Sequence, residues 1–268
     1  MTDRDHRIAE FHGLHAEGCF VMPNPWDAGS ARALERMGFP ALATTSAGLA
    51  WTLGLADGEL GLDQTLAHLR AVVDAVDLPV NADFEGGYAV EPDGVAANVK
   101  RAVETGIAGL SIEDFSGDPA DPLFDFDLAV ARVAAARQAI DETGTGVLLT
   151  GRSEGFVRGR PDIDETIRRL TAYAEAGADC LYAPRIESLD HVAAIVAAVS
   201  PKAVNLLINA PFSTVAAARE LGVRRISVGG TLARTAWGGF LGVAQKIADS
   251  GTFTGFDALP NVDQLLGR

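Results

Sequence analysis

Val80–Asp114 reads VNADFEGGYAVEPDGVAANVKRAVETGIAGLSIED. It contains a strand over Val80–Asp83, a helical segment stopped by Gly106 in ETGIAG, and a second strand over Gly109–Ile112. A glycine just past a helix takes the positive φ that ends it. Strand, helix and strand in this order form the unit of a parallel sheet wrapped by helices. Both strands run straight into acids: Asp83 and Glu85 after the first, Glu113 and Asp114 after the second.

Outward from this unit the pattern repeats in both directions. Strands are expected at Phe20–Met22, Ala41–Thr44, Val147–Thr150, Cys180–Ala183, Val204–Ile208 and Ile226–Val228. With the two above they make eight, and eight parallel strands close a (β/α)8 TIM barrel. Between them run helical patterns such as Leu66, Leu69, Val73 and Val76. Asp162 and Glu165 resemble a capping box, and Gly177 and Gly222 stop helices as Gly106 does. The 268 residues, 1–268, suit one α/β barrel domain, a class that runs to about 250 residues. The last helical pattern, Leu232–Ala248, leads into a tail, Gly251–Arg268, free to pack on a neighbouring subunit.

Composition narrows the function. Hydrophobic residues make up 48% and charged residues 22%, a balance that builds a globular core. The net charge is −14, from 22 basic and 36 acidic residues without a basic cluster, which argues against nucleic acid as a partner. No apolar run near the N-terminus resembles a signal sequence or a membrane span, and Cys19 and Cys180 lie far apart. A reducing cytoplasm is the expected address, with Cys180, inside CLYAP, as buried packing.

In such barrels the chemistry gathers where strands end, because the βα loops converge there. The strand-end candidates are Asn24 and Asp27, Ser46, Asp83 and Glu85, Glu113 and Asp114, Arg152 and Glu154, Arg185, Asn209, and the pair Gly229 and Gly230. His6, His12, His15, His68 and His191 fall in the N-terminal segment or outer helices, so a histidine base or His-ligated zinc is not expected. Lys100, Lys202 and Lys246 lie on helices or at a strand start, which removes the Schiff-base nucleophile. What remains is oxygen: Asp83, Glu85, Glu113 and Asp114 end adjacent strands, and carboxylates with bound water suit Mg²⁺ or Mn²⁺. The competing reading has these acids capping helices or pairing with Arg152.

Four motifs in order, NPWDAGSARALERMGFPALATTSAGLAW, VNADFEGGYA, GLSIED and LLTGRSEGF, resemble the isocitrate lyase and phosphoenolpyruvate mutase superfamily from about Pro23 to Gly239. The resemblance implies Mg²⁺ held by Asp83, Glu85 and Glu113, directly or through water. Glu85 stands where many members have Asp. It implies a substrate carboxylate held by Ser46, Ala47, Gly48 and Leu49, the serine-glycine turn after strand two, for which a plain βα turn is the alternative. It implies Arg152 as a clamp for the distal anion, with a buried partner for Glu113 as the alternative. It implies Asp57, in GLADGE, as the acidic residue of a functional loop after strand two, with a common DGE turn as the alternative. Asp57, Glu113 and Arg152 are the expected catalytic set. Asn209 completes the substrate-binding set expected at the mouth. After strand four this chain reads FSGDPADPLFDFD, without the cysteine, histidine and lysines of isocitrate and methylisocitrate lyases, which argues against those two activities. Ser116–Asp125 can still serve as a lid.

The resulting expectation is a Mg²⁺-dependent lyase or mutase that cleaves a C–C or P–C bond of an oxaloacetate-like or phosphonopyruvate-like 2-oxo acid through an enolate. The resemblance also implies a homo-oligomer, a tetramer or dimer, with an exchanged C-terminal helix. Two other classes stay open: a non-catalytic 2-oxo acid binder, and a metal-independent enzyme cradling phosphate at Gly229 and Gly230.

Overall fold

The computed structural model describes residues 2–267. Its eight parallel strands are β1 Phe20–Met22, β2 Leu42–Ala43, β3 Val80–Asp83, β4 Gly109–Glu113, β5 Leu148–Arg152, β6 Cys180–Tyr182, β7 Ala203–Leu207 and β8 Arg225–Ser227. Helix α1 Asp3–Ala16 precedes them; α2 Ala28–Arg36 follows β1, and α3 Ser46–Thr52 and α4 Leu62–Val73 follow β2. Then α5 Pro92–Val103, α6 Phe126–Thr143, α7 Ile163–Glu175, α8 Leu189–Val199 and α9 Val215–Glu220 alternate with the later strands. After β8 come α10 Thr231–Ser250 and α11 Val262–Leu266.

The ladder runs β1-β8-β7-β6-β5-β4-β3-β2. Across the remaining seam Ala43 N donates to Pro23 O at 3.1 Å. The result is the (β/α)8 barrel expected from the strand count.

Strand limits differ from the sequence reading by a residue or two, and pairing explains where. β4 and β5 stay in register through Glu113↔Arg152, so both residues belong to strands rather than to loops. β2 shrinks to two residues because Thr44 uses its hydroxyl to accept from Asp83 N at 2.9 Å, in place of a longer ladder. Likewise β6 ends at Tyr182, while β7 and β8 begin one residue earlier than expected, at Ala203 and Arg225.

Successive strand residues face opposite sides. Leu110, Ile112, Leu149, Leu181, Leu206 and Ile226 are buried in the main apolar core. Asn81, Asp83, Ser111, Arg152, Asn205 and Ser227 line the cavity at the barrel mouth.

The N-terminal end is plugged by α1. Phe11 is fully buried and meets Phe20 and His15 edge to face, and burying a side chain of this size contributes about 1.5–3 kcal/mol. Gly109 makes the plug possible, since a Cβ there would fall 2.6 Å from Phe11 Cε1.

Helix stops behave as read, with φ of 89° at Gly106, 103° at Gly177 and 87° at Gly222. Asp162 caps α7 by accepting from Glu165 N. The reciprocal half of the box is missing, because the Glu165 carboxylate pairs with Arg168 and Arg169 instead. Both cysteines are free, and Cys180 is buried. In α10 only Ala233 is buried, while Trp237, Phe240 and Leu241 are exposed. Within this single chain, α11 of the tail lies against α2. No described helix is long and apolar enough to cross a membrane.

Candidate active site

The C-terminal ends of β3, β4 and β5 bring Asp83, Glu113 and Arg152 together. Arg152 Nη1 lies 3.2 Å from Asp83 Oδ1 and 3.1 Å from Glu113 Oε2, and its Nε lies 2.6 Å from Glu154 Oε1. Arg158 extends the network, with Nε 3.1 Å from Glu154 Oε2 and its guanidinium 3.5 Å above the Phe115 ring. The other oxygen of Asp83 accepts from Ser46 N and Ser46 Oγ, both at 2.9 Å. Glu85 sits on the turn after β3 at a φ of 47° and accepts from Tyr88 Oη at 3.1 Å. Tyr88 in turn contacts Thr65 Oγ1 at 2.7 Å.

Charge at this mouth is unbalanced. Asp57, Asp83, Glu85, Glu113 and Glu154 gather around Arg152 and Arg158, and Arg132 lines the same cavity as Glu85 and Glu113. Burial, then the Asp83 charge, pushes Glu85 up to about 7. Glu113 lies well above the usual carboxylate range because its burial outweighs the pull of Arg152. Asp57, exposed on its outer side, is raised by partial burial and by Asp83. Burial, with like charge close by, thus favours protons on Asp57, Glu85 and Glu113, and a divalent cation would displace them.

Two cavities meet here. One of about 190 Å³ enters the barrel and is lined by Ser46, Ala47, Asp83, Tyr182 and Asn209 among others. The second, about 390 Å³, lies between the β3–α5 and β4–α6 loops against Glu85, Tyr88, Glu113 and Phe115. Ser46, Asp57 and Arg152 line both.

A divalent cation fits the chemistry of this donor set, which is all hard oxygen and short of positive charge. Among the described residues, no three His, Cys, Asp or Glu side chains converge on one point as a ready-made cage. Arg152 stands between Asp83 and Glu113. Mg²⁺, which keeps several of its waters, does not require such a cage.

Several expectations are corrected. Asp114 turns away from the mouth: it is buried and accepts from Tyr173 Oη at 2.7 Å, Arg169 Nη1 at 3.2 Å and Glu154 N at 2.7 Å. Neighbours in a strand point oppositely, so Glu113 and Asp114 cannot both face inward. The segment after β2 is a helix rather than an open turn. Thr45 takes up two of its amides, with Gly48 N donating to the hydroxyl and Leu49 N to the carbonyl. Leu49 packs with Ala50, Leu60 and Leu55. Only Ser46 and Ala47 of that quartet line the cavity, and Ser46 already serves Asp83.

Asp27 caps α2. Asn24 spends its amide on Thr44 O, Val228 N and Gly229 N, which knits the barrel seam and takes one N–H from the suggested phosphate cradle. The Ser116–Asp125 stretch is a folded turn, bridged at Phe115↔Leu123, with Ser116 N donating to Pro122 O at 3.0 Å.

A family model described as phosphoenolpyruvate phosphomutase matches residues 11–248. The chain belongs to the phosphoenolpyruvate phosphomutase family. A solved structure of a lyase/mutase candidate from Burkholderia cenocepacia J2315 is similar to it, at 41% identity and a TM-score of 0.96, over 100% of this chain and 98% of that one. The uncharacterized protein Rv1998c of Mycobacterium tuberculosis (strain H37Rv) is 36% identical over 221 residues, 82% of this chain and 81% of that protein. An oxaloacetate decarboxylase of Bradyrhizobium sp. (strain ORS 278) is 32% identical over 212 residues, 75% of this chain and 70% of that protein. Family membership makes this chain a lyase/mutase-type enzyme of the phosphoenolpyruvate mutase and isocitrate lyase superfamily, as its motifs implied.

Membership does not point to every residue at this family member's mouth. Arg158, Tyr88, Trp51, Tyr182 and Arg234 line it and were not singled out from the sequence. Arg234 reaches from α10 to stack 4.8 Å above the Trp51 ring. Arg158 stands four residues after Glu154, which offered a local signal; Trp51 and Arg234 lie in helices, Tyr182 one residue from an expected strand end and Tyr88 on the loop after β3.

Proposed function

We propose that this chain is a Mg²⁺-dependent lyase or mutase that breaks a C–C or P–C bond in a small 2-oxo carboxylate, oxaloacetate-like or phosphonopyruvate-like. The observation that carries the reading is the surplus of buried carboxylate around Ser46 and Arg152 at the ends of β3 and β4.

Asp83, Glu85 and Glu113 would hold Mg²⁺ or Mn²⁺, directly or through water. The bound ion would supply Lewis-acid stabilisation of negative charge on the 2-oxo oxygen. Ser46 Oγ and the Ala47 amide would orient the substrate carboxylate beside Asp83. Arg152 Nη1 and Nε hold the acids, and Nη2, which has no hydrogen-bond partner among the described residues, is left for an anionic group of the substrate. Asn209, with a buried Oδ1 lacking a partner, lines the far side of the same cavity. Asp57 carries a raised affinity for protons at the rim, so it can hold the proton delivered to the carbon freed by bond cleavage. This assigns to Asp57 the acid role for which FSGDPADPLFDFD, Phe115–Asp127, has no cysteine, histidine or lysine. The Ser116–Asp125 turn closes over the mouth.

Residues 1–268 act as one barrel domain in a homo-oligomer, tetramer or dimer, whose α10 is exchanged or covered by a neighbour. The exposed Trp237, Phe240 and Leu241 support that packing. Free thiols at Cys19 and Cys180 suit the cytoplasm.

The test is a thermal-shift series on chelator-treated protein with oxalate, pyruvate, oxaloacetate, 2-oxoglutarate and phosphonopyruvate, each with and without Mg²⁺, followed by product analysis. Stabilisation that requires both ligand and Mg²⁺, with turnover, supports the reading. Stabilisation without turnover makes the protein a binder, the alternative favoured by the missing lyase loop. No shift with any pair sinks the reading.

A further inference from the structure

The loop that leaves β3, Phe84–Val90, holds two non-glycine residues in the left-handed region, Glu85 at φ 47° and Tyr88 at φ 56°. L side chains rarely adopt this conformation, and it persists only where the surroundings over-determine it. Part of the restraint is local. Gly87 N donates to Phe84 O at 2.9 Å, Glu113 N to Glu85 O at 3.0 Å, and Asn98 Nδ2 to Gly87 O and Tyr88 O at 2.9 and 3.3 Å. The carbonyls of Gly86, Ala89 and Val90 all converge on one side chain, Arg132 of α6. Its Nη2 donates to Gly86 O and its Nη1 to Ala89 O and Val90 O.

Arg132 is 1% exposed, and no carboxylate is among its hydrogen-bond partners. A guanidinium taken out of water and hydrogen-bonded to carbonyls, with the Asp114, Glu113 and Glu91 charges near but not bonded to it, is costly to keep. Its planar fork reaches acceptors that a single ammonium cannot hold together. The guanidinium also lies 4.1 Å from the Phe124 ring, at the end of the folded turn after β4. One side chain thus ties together the two loops that wall the 390 Å³ cavity containing Glu85 and Glu113. Gly86 permits the approach, since a Cβ there would fall 3.1 Å from Arg132 Nη2.

We propose that Arg132 is the clasp that holds the β3–α5 loop in the shape presenting Glu85 to the mouth, and so a positioning residue of the site. The inference rests on the reading of Glu85 as a working acid.

Hydrogen–deuterium exchange on the full chain, wild type against Arg132→Met, Arg132→Lys and Gly86→Ala, tests the clasp without relying on activity. In Arg132→Met, amide exchange over 84–91 rises about tenfold or more while strand peptides keep wild-type rates; Lys restores it partly, and Gly86→Ala moves it in the same direction. Mn²⁺ affinity, read by electron paramagnetic resonance, falls by about tenfold or more in Arg132→Met, as expected when a group that orients a ligand is removed. Unchanged exchange in Arg132→Met overturns the proposal, as does a loosened loop with wild-type Mn²⁺ affinity. If Arg132→Met does not fold, Gly86→Ala decides by the same two readouts. A wild-type chain that binds no Mn²⁺ counts against the proposed function, and the exchange result alone then decides the clasp.

Discussion

Two arginines stand inside one barrel under opposite conditions. Arg152, at the C-terminal end of β5, contacts Asp83, Glu113 and Glu154, and still leaves acids unbalanced around it. Arg225, on β8 and 2% exposed, donates to Asn205 Oδ1 at 2.9 Å and Thr150 Oγ1 at 3.0 Å, and its Nη1 lies 3.3 Å from His15 Nε2. Burial, then the Arg225 charge, pushes His15 down to about 3, so the ring stays neutral and its Nε2 accepts. The floor arginine is answered by dipoles matched to it, which serves stability. The mouth arginine sits among more carboxylates than it can neutralise, and that leftover charge is what a cation or a substrate can use. The contrast follows the division of labour in such barrels, with chemistry at the C-terminal face and structure at the other.

The contrast can be broken by experiment. The largest effect is expected for Asp83→Ala, which should lower Mg²⁺-dependent turnover by about 10²–10³-fold or more, since a group set around the developing charge is lost; near-wild-type rates would remove Asp83 from the site. Arg152→Met should cost about 3–5 kcal/mol in chemical denaturation at neutral pH, because buried acids lose their partner. That loss should shrink as the pH falls and Glu113, whose burial favours its proton, becomes neutral.

Arg225→Met should cost only about 1–2 kcal/mol, as three neutral acceptors lose a donor while a buried charge is removed. A cost equal to that of Arg152→Met would erase the distinction drawn between the two sites. The smallest effect concerns pH. The folded state holds His15 neutral down to about 3, whereas the unfolded chain protonates it below about 6.5. This stability is therefore present above about 6.5 and is lost progressively as the pH falls toward 3. His15→Leu should flatten that part of the stability–pH curve; an unchanged slope would show that the ring does not titrate with unfolding.

The acids were legible in the sequence because a strand end is a local event: an apolar run stops and Asp or Glu follows, as in VNADFE and LSIED. Which acids face the mouth was not legible. Glu113 and Asp114 are adjacent, and only the pairing of β4 with β5 sets Glu113 beside Arg152 and sends Asp114 to Tyr173 and Arg169. The serine-glycine motif was equally visible, yet Ser46 turns to Asp83, 37 residues away. Arg132 gave no signal at all, since its partners lie more than 40 residues upstream.

By itself, the sequence determined the number of strands, the glycines that stop helices, the acids waiting at strand ends and the absence of Cys, His and Lys from the Phe115–Asp127 loop, because each depends on residues close in the chain. Only the tertiary structure decided which side chains meet, because a strand alternates its faces and a one-residue change of register reverses them. The charge surplus at the mouth, the neutral floor around Arg225 and the clasp at Arg132 all come from contacts between strands and helices far apart in sequence.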